Sequence, residues 1–305
     1  MTDETPHQEA TPRRRLADGG RYPRNEERPP TADGRFYAGS EADLRRQIAD
    51  CFAHEIGPGP LEEATAEAAG GAVAIVSPHA GYPFSGPVAA HGFAELAAGD
   101  APETVVVFGP NHEGFGAEVA VAPHERFRTP LGPVPIDEHL CEAVVEESAD
   151  ATFDERAHAG EHSIEVQLPF LQYCLDDVAV VPICTSRLGG ERAERLGRDV
   201  AAAVEATGRE TAIVSSTDLT HYEDHETAAA ADEDVLEAIE AFDLEGLAEL
   251  VGKGHSMCGP WATVAGLAAA LELGAADAEI LRYATSGDTG GSKNRVVGYC
   301  SAVVR

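Results

Sequence analysis

The sequence predicts an α/β protein: one three-layer α/β/α domain around a central, mostly parallel sheet. Short, continuously apolar, Val-rich runs recur along the chain, helical patterns separate them, and neither an internal repeat nor a linker-like stretch divides the 305 residues. A strand apolar on both sides needs cover on both sheet faces, and helices placed between consecutive strands supply it. A chain of this length buries a substantial core.

Residues 1–27 are polar, contain proline and have no period, so they are expected to form a disordered tail. The folded domain is expected over 28–305, opening with RPPTADGRFYAGS. Strands are expected at AVAIV (72–76), TVVVF (104–108), VAVVPI (178–183), TAIVS (211–215) and VVGYCSAVV (296–304). Helical patterns fall near 41–54, 87–98, 136–149, 163–176, 188–207, 226–240 and 259–273.

Charge is the unusual bulk property. Lys and Arg number 22 against 53 Asp and Glu, a formal net charge of −31, and only Lys253 and Lys293 are lysines. Acidic residues spread over the whole length suit a surface hydrated in concentrated salt, where a Debye length of a few ångströms screens their repulsion. We read this as adaptation to a halophile's cytoplasm. The chain has no basic stripe for nucleic acid, and no run of about 18 apolar residues for a membrane span. The first 20 residues lack the apolar centre of a signal peptide. Cysteines 51, 141, 174, 184, 258 and 300 show no paired spacing, as expected of free thiols in a reducing, cytoplasmic setting.

The functional signal is positional. AVAIV leads to Pro78-His79, TVVVF to Asn111-His112, and TAIVS to Asp218 and His221. Ligands gather outside the carboxyl ends of parallel strands. One such histidine is more simply a turn or core residue; three at the same topological place point to a site. In AGEHSIEVQLPFLQYCL, His162 and Glu165 are three apart at the start of a helical pattern and share a face, a spacing that, taken alone, a surface pair at a helix N-terminus explains better. Cys258 precedes Gly259-Pro260, and proline favours the first turn of a helix, so the thiol is expected at a helix N-terminus with a lowered pKa. Two imidazoles and a thiolate can form an open three-ligand metal site for zinc, copper or iron. The same atoms can form a Cys–His nucleophilic pair. Asp218 and His221 would then orient ligands or move protons. Pro78 and Gly81 are expected to tighten the turn that aims His79.

SPHAGYPFSG, FGPNHEG, EHSIEVQLPFL, VSSTDLTHY, MCG and YATSGD…VVGYCS occur in the order and near the spacing of the Memo family. That family is also called protein B of the AmmeMemoRadiSam system. The resemblance runs from about Arg28 to the C-terminus. It implies a fold like that of the class III extradiol (LigB-type) non-haem iron dioxygenases, with metal ligands His79, His112 and Cys258 in a site lined by His162, Asp218 and His221. It implies copper or iron as cofactor, with zinc also compatible. Cysteine replaces the dioxygenases' carboxylate ligand, so their activity does not carry over. Two functions follow as expectations: a metal-dependent oxidoreductase, with His221, Asp218 and His162 as its catalytic groups, or a non-catalytic copper- or iron-binding or partner-docking module. The expected occupants are a small molecule or peptide in the metal pocket, and the expected partners the other AmmeMemoRadiSam proteins.

Overall fold

The computed structural model describes residues 24–305. Its centre is four mutually parallel strands, β2 (Ala74–Ser77), β9 (Thr211–Ser216), β3 (Thr104–Pro110) and β8 (Ala179–Thr185), adjacent in that order. β-branched side chains pack well on a sheet covered on both faces, and every residue of β2 and β3 is buried. On one side β12 (Val296–Val304) runs antiparallel to β2 and carries β10 (His221–Glu223) and β11 (Ala278–Thr285), both antiparallel to it. On the other, β4 (Val119–Val121) runs antiparallel to β8 and carries β7 (Ala151–Phe153). The parallel core is the expected one; among the antiparallel flanking pairs only β11 and β12 are consecutive, joined by a connection too short for a helical crossover.

Pro182 lies inside β8, where an N–H is normally needed. Its carbonyl accepts the Ala122 N–H at 3.1 Å, just past the end of β4, so the missing donor falls where the neighbouring strand runs out.

One face of the sheet carries α3 (Tyr82–Ala97) with α1 (Glu41–Ala53), α2 (Leu61–Glu67) and α5 (Leu168–Cys174) packed around it. The other carries α9 (Pro260–Glu272) with α6 (Gly190–Thr207), α4 (Glu138–Glu147) and α8 (Leu244–Gly252). Helix α7 (His225–Glu240) packs on β11 and β12. Side-chain caps fix several helix starts: Asp137 accepts the Leu140 N–H at 3.0 Å, and Asp243 the Gly246 N–H at 2.8 Å. The pattern near 163–176 is in part a 3-10 turn, Glu165–Gln167, before α5. Among the described residues no helix is long and apolar enough to cross a membrane.

A separate three-stranded sheet joins β1 (Asn25–Arg28), β5 (His124–Thr129) and β6 (Gly132–Pro135). The tail boundary therefore needs correction. Asn25–Glu27 pair with β5, because a parallel ladder repays the ordering of a segment too polar to be read as a strand. Residues 1–23 lie outside the described residues. The small sheet also buries Arg28, whose guanidinium donates to the His158 carbonyl at 2.9 Å and the Glu161 carbonyl at 2.6 Å. Arg28 pairs with the Glu165 carboxylate as well, which takes further N–H bonds from Thr31 and Ala32. Glu165, read as a surface partner of His162, is instead fully buried in this clamp.

Candidate metal centre

His79 follows β2 and is buried. Its backbone N–H donates to Asp218 Oδ1 at 2.7 Å, and its Nδ1 lies 2.8 Å from Ser216 Oγ. The tautomer follows from the neighbours. Ser216 Oγ has one proton and meets the Ser163 carbonyl, which can only accept, at 2.8 Å. Gln167 Nε2 donates to the same hydroxyl at 2.9 Å, and its orientation is fixed because it also donates to the Pro78 carbonyl at 3.0 Å. The hydroxyl can therefore only accept from His79, so Nδ1 carries the hydrogen and Nε2 presents a lone pair. Burial, followed by the nearby imidazoles His112 and His162, holds this imidazole well below its ordinary pKa and keeps it neutral.

His112 follows β3 and reaches the same tautomer another way. Its Nδ1–H donates to Glu161 Oε1 at 2.9 Å, leaving Nε2 free. Burial pulls its pKa down, but the hydrogen bond and charge of Glu161 outweigh that and raise it. Glu161 is itself buried and accepts backbone N–H groups of His112 at 2.6 Å, His162 at 3.0 Å and Ser163 at 2.8 Å. Burial opposes its ionisation, yet these donors hold the carboxyl at about 2.

Cys258 Sγ lies 2.9 Å from His79 Nε2 and accepts the Asp218 N–H at 3.0 Å. Its own N–H donates to the Asp218 carbonyl at 3.1 Å, so the two loops brace each other. The expected lowering of its pKa is corrected: burial, reinforced by the Asp218 carboxylate, pushes the thiol well above its ordinary value. Helix α9 begins two residues later, and the Asp218 N–H bond that favours the thiolate does not offset desolvation.

Nitrogen and sulfur atoms of His79, His112 and Cys258 all lie within 4.8 Å of one another. Among the described residues a second set, His112, Glu161 and His162, meets the same limit. Its carboxylate is already taken by four N–H donors, so the first set has the free lone pairs. His162 packs between Phe36, stacked at 4.3 Å, and His112, stacked at 4.7 Å, with Nδ1 3.4 Å from Glu161 Oε1. Burial lowers its pKa to about 4. Asp218 is buried and its carboxyl is pushed up to about 7 by desolvation, against the pull of the His79 and Ala80 N–H groups. His221 begins β10, with Nδ1 2.6 Å from the Leu219 carbonyl; it belongs to neither three-ligand set.

Two glycines permit this geometry, and Gly81 is not one of them. A Cβ at Gly109 would lie 2.6 Å from Ser163 Oγ, and one at Gly259 2.4 Å from the Ser216 carbonyl oxygen. Gly81 has an ordinary φ of −60° and caps α3, where a Cβ would meet nothing closer than 3.5 Å. Glu161, Ser216, Gln167 and Arg28 were not singled out in the sequence. Glu161 alone carried a signal, a carboxylate directly before a histidine, of the kind that orients a ligand imidazole.

A family model described as Memo-like protein matches residues 28–303. A MEMO1 family protein of Methanopyrus kandleri is 44% identical over 281 residues, covering 92% of this chain and 99% of that one. Those of Methanothermobacter thermautotrophicus and Thermotoga maritima are 42% and 43% identical, over 89% and 91% of this chain and 98% and 99% of theirs. The crystal structure of an uncharacterised protein of Escherichia coli K12 shares the fold, with a TM-score of 0.54 at 16% identity, covering 75% of this chain and 98% of that one. Likeness over nearly the full length of both partners, in sequence and not in fold alone, makes this chain a member of the Memo family.

Proposed function

We propose that this Memo-family chain binds one transition metal, copper or iron, at His79 Nε2, His112 Nε2 and Cys258 Sγ, and acts as a cytoplasmic metal-dependent oxidoreductase on a small molecule. One observation carries the reading. Both imidazoles commit their Nδ1–H to a partner, Ser216 or Glu161, so two Nε2 lone pairs converge on one sulfur. Ligating histidines are oriented in this way, and a three-ligand set leaves coordination open. When bound, the metal would supply Lewis acidity and one-electron chemistry. The chain's own groups handle protons: the Asp218 carboxyl, near 7, can hold or release one, and His162, neutral at that pH, can accept one. The free cysteines suit a reducing cytoplasm. Family membership makes the other AmmeMemoRadiSam proteins its candidate partners.

The 2.9 Å approach of His79 Nε2 to Cys258 Sγ also favours a second reading, a Cys–His nucleophilic pair. Iodoacetamide separates the two. With metal content measured in parallel on protein purified without oxygen, coordination predicts slow labelling of Cys258 that rises when a chelator strips the metal. Equal rates in protein holding stoichiometric metal would remove Cys258 from the coordination sphere. Cys258→Ser, His79→Ala and His112→Ala should each lose metal, and Asp218→Asn should keep most of it. Oxygen uptake by the loaded protein with candidate phenols then tests turnover.

A further inference from the structure

The few unpaired cations of this −31 chain are unevenly placed. Among the described residues every lysine and arginine lies within ion-pair distance of a carboxylate except Arg35, Arg187, Arg282 and Arg295. Three of these four border the metal centre. Arg187, just past the end of β8, lines a cleft of about 440 Å³ together with His112 and Cys258. Arg35 lies over the Phe36 ring, which stacks on His162. Arg295, just before β12, lies over the Tyr222 ring, whose neighbour is His221. Because β12 runs antiparallel, its start lies at the carboxyl ends of the parallel strands, on the same rim as Arg187.

The acidic groups nearby are largely answered. Glu118, in the same cleft, pairs with Arg192 at 2.8 Å. Glu161 is held by His112 and backbone N–H groups, and Asp218 by the His79 N–H. Glu113 is exposed on the loop after His112, its side chain against Gly160.

We infer that the cleft is an anion subsite: Arg187 binds the carboxylate or phosphate of a small organic substrate beside the metal, and Arg35 and Arg295 steer that anion to the mouth. A guanidinium left without a carboxylate inside a cleft keeps its fork of donors for a ligand. A positive rim on a negative protein focuses anions onto one place. This inference rests on the metal centre for the ligand's fate, but not for its binding.

The test therefore uses metal-stripped protein and reads Cys258, which shares the cleft. Iodoacetate, an anion, and iodoacetamide, its neutral counterpart, attack the same thiolate, so their rate ratio cancels the thiolate's pKa and reports local charge. Labelling is followed at the Cys258 peptide by mass spectrometry, at low KCl with sucrose holding the fold. On a −31 chain the default is repulsion of iodoacetate. The subsite predicts instead a ratio above that of 2-mercaptoethanol, dropping about threefold in Arg187→Gln, the effect of one unit charge across a water-filled cleft. Arg45→Gln, which changes net charge equally but lies in an ion pair on α1, should leave the ratio unchanged. A wild-type ratio at or below the reference, or one that Arg187→Gln does not move, overturns the inference. Protection of Cys258 from iodoacetamide by inorganic phosphate or by acetate identifies the anion, the stronger protector naming it; protection by neither overturns the inference too. Because no metal is present, these outcomes are separate from chelator-independent labelling, which would sink the metal reading.

Discussion

Glu161→Gln is the substitution that asks most of this structure. The carboxylate accepts three backbone N–H groups and the Nδ1–H of His112, all while buried. An amide keeps one accepting oxygen, which can serve the three donors now on Oε1. Its NH₂ would then face the His112 N–H, now 2.6 Å from Oε2, donor against donor. One buried donor left unpaired costs about 1–3 kcal/mol, and the other bonds weaken once the acceptor is neutral, for about 3–5 kcal/mol in all. The depressed pKa gives an independent figure: a carboxyl at about 2 against an ordinary 4.5 corresponds to about 3 kcal/mol. The sign is that of a lowered folded pKa. The stabilisation is complete above about pH 4.5 and disappears as pH falls through about 2. Urea unfolding in molar KCl should therefore show a deficit of several kcal/mol for Glu161→Gln at pH 7, narrowing toward pH 3. Metal affinity, by titration of the stripped protein, should fall about 10- to 100-fold, because the His112 ring loses its orienting partner. A deficit below about 1 kcal/mol at pH 7 with unchanged metal affinity would refute the assignment of Glu161 as the residue that sets His112.

Gly259→Ala should lower stability by about 2–4 kcal/mol and displace Cys258, since its methyl would lie 2.4 Å from the Ser216 carbonyl oxygen, whereas Gly81→Ala should cost less than about 1 kcal/mol; thermal melts of the two, side by side, check the contrast. Melting temperature should fall from molar to millimolar KCl as the Debye length grows and the carboxylates of a −31 chain repel; a flat curve would remove the halophile reading. At Glu165 burial raises the carboxyl's pKa, but Arg28 and the bonds from Tyr37 and Ala32 prevail and lower it. Its contribution is thus present above about pH 4.5 and lost in acid, so Glu165→Gln should cost about 3 kcal/mol at pH 7 and progressively less below pH 4 in urea titrations.

The sequence by itself determined the layers and where the candidate site residues fall among them. Short, Val-rich runs such as TVVVF, bounded by turn residues, read as strands of a sheet covered on both faces, and the residues that follow parallel strands lie at its carboxyl edge. His79, His112 and Asp218 were legible for that reason, and Cys258 through the Gly-Pro after it. The short strands β4, β7 and β10 were not legible, because three residues carry no period; their pairing with β8 and β12 exists only once those strands are in place. Nor could the sequence say which nitrogen of each imidazole is free. That was decided by Ser216, Gln167 and Glu161, residues 49 to 137 positions away from the groups they hold. The sense of the Cys258 shift was likewise tertiary: a helix start argues for a lowered pKa, and the burial and the Asp218 carboxylate that reverse it come from chain 40 residues away. Local pattern fixes which groups reach the rim, since it acts through the backbone's own periodicity; desolvation and hydrogen-bond direction depend on what the rest of the chain brings beside them, and that is set only by the packed fold.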